Sequence, residues 1–279
     1  MPLYAWTSVR LGEHSCRVAG LLAGLFKDEL LVLSRRIGAP EDNVFIAATV
    51  SALLHDAGKA ATVFQQRVAS RPSFYCHELV SGYLALKTAE EVLAERGCKH
   101  RGLLAFLSGV AALRHHHGMR SLSECAQNIG RVPGLSRDEI RLLALELGES
   151  CPAAGTVAEA LKDVSSRVSR VEPLYSLSYV GRYHENLVKP PGYREEMVSF
   201  YSSMLTGFLS LSDYIVASLL DGRSSSAHLK GYARRALQEL SWMHGLHLIK
   251  EERGNTVGAL EAKVREGLDT IRKAFLSPQ

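Results

Sequence analysis

Apolar residues return at helical spacing along nearly the whole chain. Ile46, Val50, Leu53 and Leu54 fall on one helical face, and Met197, Tyr201, Met204, Phe208, Leu211, Ile215 and Leu219 trace another through several turns. No run alternates with the two-residue period of a strand over a comparable length. The pattern predicts helices at about 13–36, 41–56, 77–96, 101–117, 136–148, 155–170, 194–221, 228–250 and 256–275. Punctuation agrees with these divisions: Gly38-Ala39-Pro40 opens one helix, Gly58, Gly97 and Gly118 close others, and Lys189-Pro190-Pro191-Gly192 separates two more. None of these reads as a flexible linker, so the expectation is an all-α fold over residues 1–279 as one domain.

Composition narrows the class without naming a partner. An apolar fraction of 46% with 22% charged residues is that of a globular chain and excludes disorder. Lys and Arg total 33 against 29 Asp and Glu, a net charge of +4, so any nucleic-acid footprint must be a local patch. Cys16, Cys76, Cys98, Cys125 and Cys151 contain no C-x-x-C pair, and an odd count argues against a closed disulfide framework. The expected setting is a reducing cytoplasm. Residues 1–13 lack the basic segment and apolar core of a signal peptide. No stretch of about 18 uncharged apolar residues suggests a membrane span, so no membrane contact is expected.

The candidate chemistry lies in histidines and aspartates placed where helices end. His55 and Asp56 close an apolar helix, Gly58 follows, and Lys59 sets a cation beside the carboxylate. Alone, a His-Asp pair reads as an exposed helix end with His favoured by the dipole. His77 opens a helix after the loop containing Pro72, and His115-His116-His117-Gly118 ends one. Consecutive helical residues diverge by about 100°, so adjacent histidines share an ion only where the helix stops. Asp213 stands among apolar neighbours, where a carboxylate needs a cation, a metal or a hydrogen-bond donor. A salt bridge would serve equally if it stood alone, and a lone His14 would read as structural.

Taken in order, these pieces form a set: an isolated His, then His-Asp-Ala-Gly-Lys, Phe-x-x-His-Glu-x-x-Ser, His-His-Gly and Ser-Asp-Tyr-x-x-Ala-Ser. The set resembles the HD superfamily of metal-dependent phosphohydrolases, and within it the HD nuclease of type I CRISPR interference. The resemblance covers about residues 10–220 and implies an HD-domain helical bundle, with residues from about 222 to 279 as additional C-terminal helices. It implies that His14, His55, Asp56 and Asp213 bind one metal, that Asp56 bridges to a second, and that His77, His116 and His117 complete that second site. His115 replaces one of the last two if the register slips. Lys59 would contact the scissile phosphate, with Ser81 and Ser218 as weaker candidates for shaping the site.

Two divalent cations about 3.5–4 Å apart lower the pKa of a water and clamp the phosphate for in-line displacement. Mixed imidazole and carboxylate ligands favour manganese, iron, cobalt or nickel over magnesium. The implied substrate is single-stranded DNA, delivered by a separate helicase and an RNA-guided targeting complex, because the chain carries no G-x-x-x-x-G-K-[ST] loop. Arg67, Arg71, Arg114, Arg120 and Arg182 are candidates to hold the DNA backbone, though each reads first as solvated surface. The rival readings are an HD phosphohydrolase acting on nucleotides or cyclic nucleotides, and a non-catalytic helical adaptor.

Overall fold

The structure, a computed structural model, describes residues 2–70, 73–116, 121–184, 193–221, 235, 238, 239 and 253–277. Its framework is helical: α1 (Leu11–Leu25), α2 (Lys27–Ile37), α3 (Glu41–Leu54), α4 (Thr62–Gln65), α5 (Glu78–Glu95), α6 (Arg101–Arg114), α7 (Leu122–Gln127), α8 (Arg137–Ser150), α9 (Gly155–Arg167), α10 (Pro173–His184), α11 (Glu195–Ile215) and α12 (Arg253–Leu276). The all-α expectation is met. Two small antiparallel pairs, β1 (Tyr4–Trp6) with β2 (Val9–Arg10) and β3 (Leu135–Ser136) with β4 (Arg170–Val171), are too short for an alternating pattern to announce them.

The centre belongs to α3. Pro40 presets the entry, Glu41 and Asp42 complement the positive end of the helix, and every residue from Asn43 to Leu54 is buried. A helix apolar on all sides has no solvent face and must be wrapped. Helices α1, α2, α5, α6, α11 and α12 all pack against it. The helix expected at 13–36 is two helices bent at Phe26, whose ring stacks on Phe208 of α11 at 4.4 Å. Asp28 and Glu29 fall in the first turn of α2, where acids are favourable.

Helix α12 covers α1 at unusually close range. A Cβ on Gly267 would lie 1.8 Å from the Gly20 carbonyl oxygen, and one on Gly24 would lie 2.1 Å from that of Lys263. Only glycine permits that approach. The C-terminal region thus adds Leu260, Val264, Ile271 and Ala274 to the same apolar core as α1 and α3. The helix expected at 228–250 falls almost wholly outside the described residues.

The segment Glu195–Leu220 is long and apolar enough to cross a membrane by length and composition, with a mean hydropathy of 1.4 over its best window. Here it buries Val198, Tyr201, Leu205, Leu209 and Ile215 in the shared core. Its last turn, Val216–Leu220, is wound as a π-helix. Such turns shift the helical register and are frequent at functional sites.

The cysteine expectation is overturned. Disulfides join Cys16 to Cys151 and Cys76 to Cys125, leaving Cys98 free. An odd count only guarantees one leftover thiol; the fold supplies the rest by bringing α1 to the end of α8 and the loop before α5 onto α7. Sequence separations of 135 and 49 residues hide both pairings from spacing rules.

Candidate metal centre

Each candidate ligand sits where a helix starts, ends or crosses another. His55 caps the C-terminus of α3, and a 3-10 turn over Ala57–Ala60 follows Asp56. That turn lies directly on the N-terminus of α5: a Cβ on Gly58 would be 2.2 Å from the His77 carbonyl oxygen. Ser81 Oγ accepts the Gly58 N–H at 2.9 Å and donates to the His77 carbonyl at 3.2 Å, locking the turn to the helix that presents His77. Gln65 ties in the hairpin, bonding Tyr4 through both amide atoms and the Lys59 carbonyl at 2.7 Å. From α8, Glu139 closes a capping box with Ser136 and accepts from the Thr62 N–H at 2.6 Å.

Asp56 is the hub. Its Oδ2 lies 3.5 Å from His14 Nε2 and 3.4 Å from His55 Nε2, while Asp213 Oδ1 is 3.1 Å from the first imidazole and 3.6 Å from the second. Its Oδ1 faces the other way, 2.7 Å from His77 Nε2 and 3.6 Å from His115 Nε2. Two donor groups result, His14/His55/Asp213 and Asp56/His77/His115/His116, each with its atoms mutually within 4.8 Å and every residue buried. His115 therefore joins His116 in the second group, because the last turn of α6 points both inward as it unwinds. His117 lies outside the described residues.

Four of the five imidazoles engage their outward nitrogen. Nδ1 of His55, His77 and His115 each donates at 2.7 Å to the carbonyl three residues earlier, of Ala52, Phe74 and Ala112. This places a proton on Nδ1 and turns Nε2 into the cluster, where that of His77 meets Asp56 Oδ1. His14 differs: its Nδ1 meets Asp221 Oδ2 at 2.6 Å.

The electrostatics are those of buried acids seeking cations. Burial works to raise the Asp56 pKa, but Lys59 and His55 hold it well below the usual carboxylate range, and His14 and His55 do the same for buried Asp213. Burial would lower the His14 pKa, yet Asp213 and Asp221 push it up to about 9. Burial, with His115 and His77 alongside, drives His116 well below its ordinary value. Lys59, itself buried, places Nζ 2.6 Å from Asp56 Oδ2 and 3.7 Å from the centroid of Trp6, a cation–π contact.

These residues fit divalent cations. His55 Nε2, His115 Nε2 and His116 Nδ1 are buried with no hydrogen-bond partner among the described residues, which is costly unless a Lewis acid takes the lone pairs. Two carboxylates converge on the same space, and a proton on His14 Nε2 stands where a cation would be bound.

Other expectations fare unevenly. Ser218 is buried in the π turn, Arg67 is exposed and Arg114 half-buried, while Arg71, Arg120 and the side chain of Arg182 lie outside the described residues. Sequence reasoning missed Asp221, Trp6 and Phe74. A hint existed for Asp221 in the Asp-Gly pair closing the long helix, but nothing in the spacing aims it at His14.

A helical bundle that gathers His, His-Asp, His, His-His and a late Asp around one bridging carboxylate is an HD-type domain. The family model described as "Cas3, HD domain" matches residues 5–218, and the chain belongs to that family. Among solved structures the chain is similar to the crystal structure of T. fusca Cas3, at 16% identity and a TM-score of 0.38, over 97% of this chain and 27% of that one. The chain thus spans about a quarter of that relative's length. No curated protein sequence matches it.

Proposed function

We propose that the chain is a metal-dependent phosphodiesterase that cuts single-stranded DNA in type I CRISPR interference, working with a separate helicase and an RNA-guided targeting complex. The observation that carries this is the two-sided use of Asp56, one oxygen facing His14 and His55 and the other facing His77 and His115. Family membership supports the substrate class.

His14, His55, Asp56 and Asp213 would hold one cation, and Asp56, His77, His115 and His116 the second. Bound cations would supply a water of lowered pKa and polarise the phosphate. The chain's own contribution is to turn Nε2 of His14, His55, His77 and His115 inward, to exclude bulk water, and to keep the ligands from collapsing onto one another. Lys59 would offset the charge that grows on the phosphate oxygens. Its ammonium lies over the Trp6 ring and 5.1 Å from the centroid of Phe74, which helps fix it beside Asp56. The donor mix of five imidazoles and two carboxylates favours manganese, iron, cobalt or nickel. The reading places the protein in the cytoplasm, a setting in which its two disulfides would be unusual.

The test is a parallel assay of labelled single-stranded DNA, duplex DNA and a nucleotide panel with added manganese. Cleavage of the single strand that disappears in Asp56→Ala, with the variant still folded, is expected. Exclusive nucleotide hydrolysis overturns the substrate assignment, and unchanged activity in the variant overturns the centre.

A further inference from the structure

Four of the five imidazoles have an anchored outer nitrogen, and His14 is anchored unlike the other three. His55, His77 and His115 are each steadied by a carbonyl three residues back on their own backbone. His14 lies inside α1 rather than at a helix end, so the carbonyls around it are spent on helix hydrogen bonds. Its Nδ1 instead meets a carboxylate 207 residues away, Asp221 Oδ2 at 2.6 Å. The other oxygen of that carboxylate accepts from Arg17 Nη1, also at 2.6 Å. His14 and Arg17 stand three residues apart and so share one face of α1, and Asp221 spans them.

The side chain of Asp221 is completely buried. It caps the π turn Val216–Leu220, whose wide winding carries the chain from Asp213 back toward α1. The family match ends at residue 218, so Asp221 lies beyond the region that defines the family.

We infer that Asp221 is a positioning residue for the metal centre: it accepts the Nδ1–H of His14, fixes that tautomer, and aims Nε2 at the first cation, while Arg17 holds the carboxylate in register. The inference rests on the proposed two-cation centre. Partners of this kind on a ligand's far nitrogen typically govern metal affinity by about 10–100-fold.

The experiment is a titration of the apoprotein with cobalt(II), followed by calorimetry and by the visible absorption of the bound ion, so that no turnover is needed. Asp221→Leu is expected to weaken one of two cobalt sites by about 10–100-fold and to change its absorption, leaving the other site intact. Asp221→Asn keeps an acceptor oxygen for Nδ1–H and is expected to recover part of that affinity, which a merely structural role would not produce; it also serves if the leucine variant does not fold. Arg17→Ala should weaken the same site to a smaller degree. Two unaltered cobalt sites in folded Asp221→Leu or Asp221→Asn overturn the inference while leaving the centre standing. Absence of cobalt binding in the unmodified chain overturns both.

Discussion

The two halves of the centre are built by different means. In the His77/His115/His116 half, the anchored imidazoles stand at helix ends and are oriented by carbonyls three residues back in the chain, so local backbone sets their aim. In the His14/His55/Asp213 half, His55 has the same local anchor, but His14 and Asp213 lie within long helices, α1 and α11, and meet each other at 3.1 Å, with Asp221 on the far side of His14. A locally oriented ligand survives small shifts between helices, whereas one oriented by tertiary contacts inherits every error in packing. Asp56 joins the halves and is common to both modes.

The largest expected effect comes from removing that junction. Asp56→Ala should abolish cleavage and reduce bound metal from two equivalents toward none, measured by elemental analysis; retention of both ions would break the comparison at its root. Next, His14→Ala and His115→Ala should each lose a different single equivalent. If either loses both, the halves are not separable.

Gly58→Ala tests the frame without touching a ligand. Its new methyl meets the His77 carbonyl at 2.2 Å, so a destabilisation of about 1–3 kcal/mol is expected in denaturant unfolding. The second cation should be weakened more than the first. Lys59→Ala should slow cleavage with both metals retained, and metal loss with activity would refute its phosphate role.

The smallest effect, and the sharpest discriminator, is pH. A cation entering the first half must displace the proton from His14, whose pKa stands at about 9. Affinity there should therefore rise with pH, about tenfold per unit, and level off near 9. His116 is held well below its ordinary value and is already neutral at pH 7. It puts no proton in the way, so the second half should respond less between pH 7 and 9. Identical profiles for the two sites would erase the distinction.

What was legible in the chain follows the same division. Helices α3, α5, α6, α8 and α9 were readable because their apolar faces and end signals are local, and the helix-end ligands were readable for the same reason. Which of the consecutive histidines turn inward depends on where the last turn of α6 unwinds, and the sequence left that choice open. The bend at Phe26 was invisible because apolar spacing continues through it. The π turn was invisible because no residue pattern marks an extra residue in a turn, and the pairing of Asp221 with His14 was invisible because 207 residues separate them. The cysteine pairings arise from packing between elements far apart in the chain, where counting gives no purchase.

The glycine seam between α1 and α12 has a bearing on biogenesis. As the polypeptide leaves the ribosome, the helix carrying His14 is made more than two hundred residues before the surface that braces it, Leu260 through Ala274. Chains emerge N-terminal end first at about 5–20 residues per second, so this first helix waits on the order of ten seconds for its cover. Until those residues emerge, α1 lacks the surface that braces it and His14 has no fixed aim.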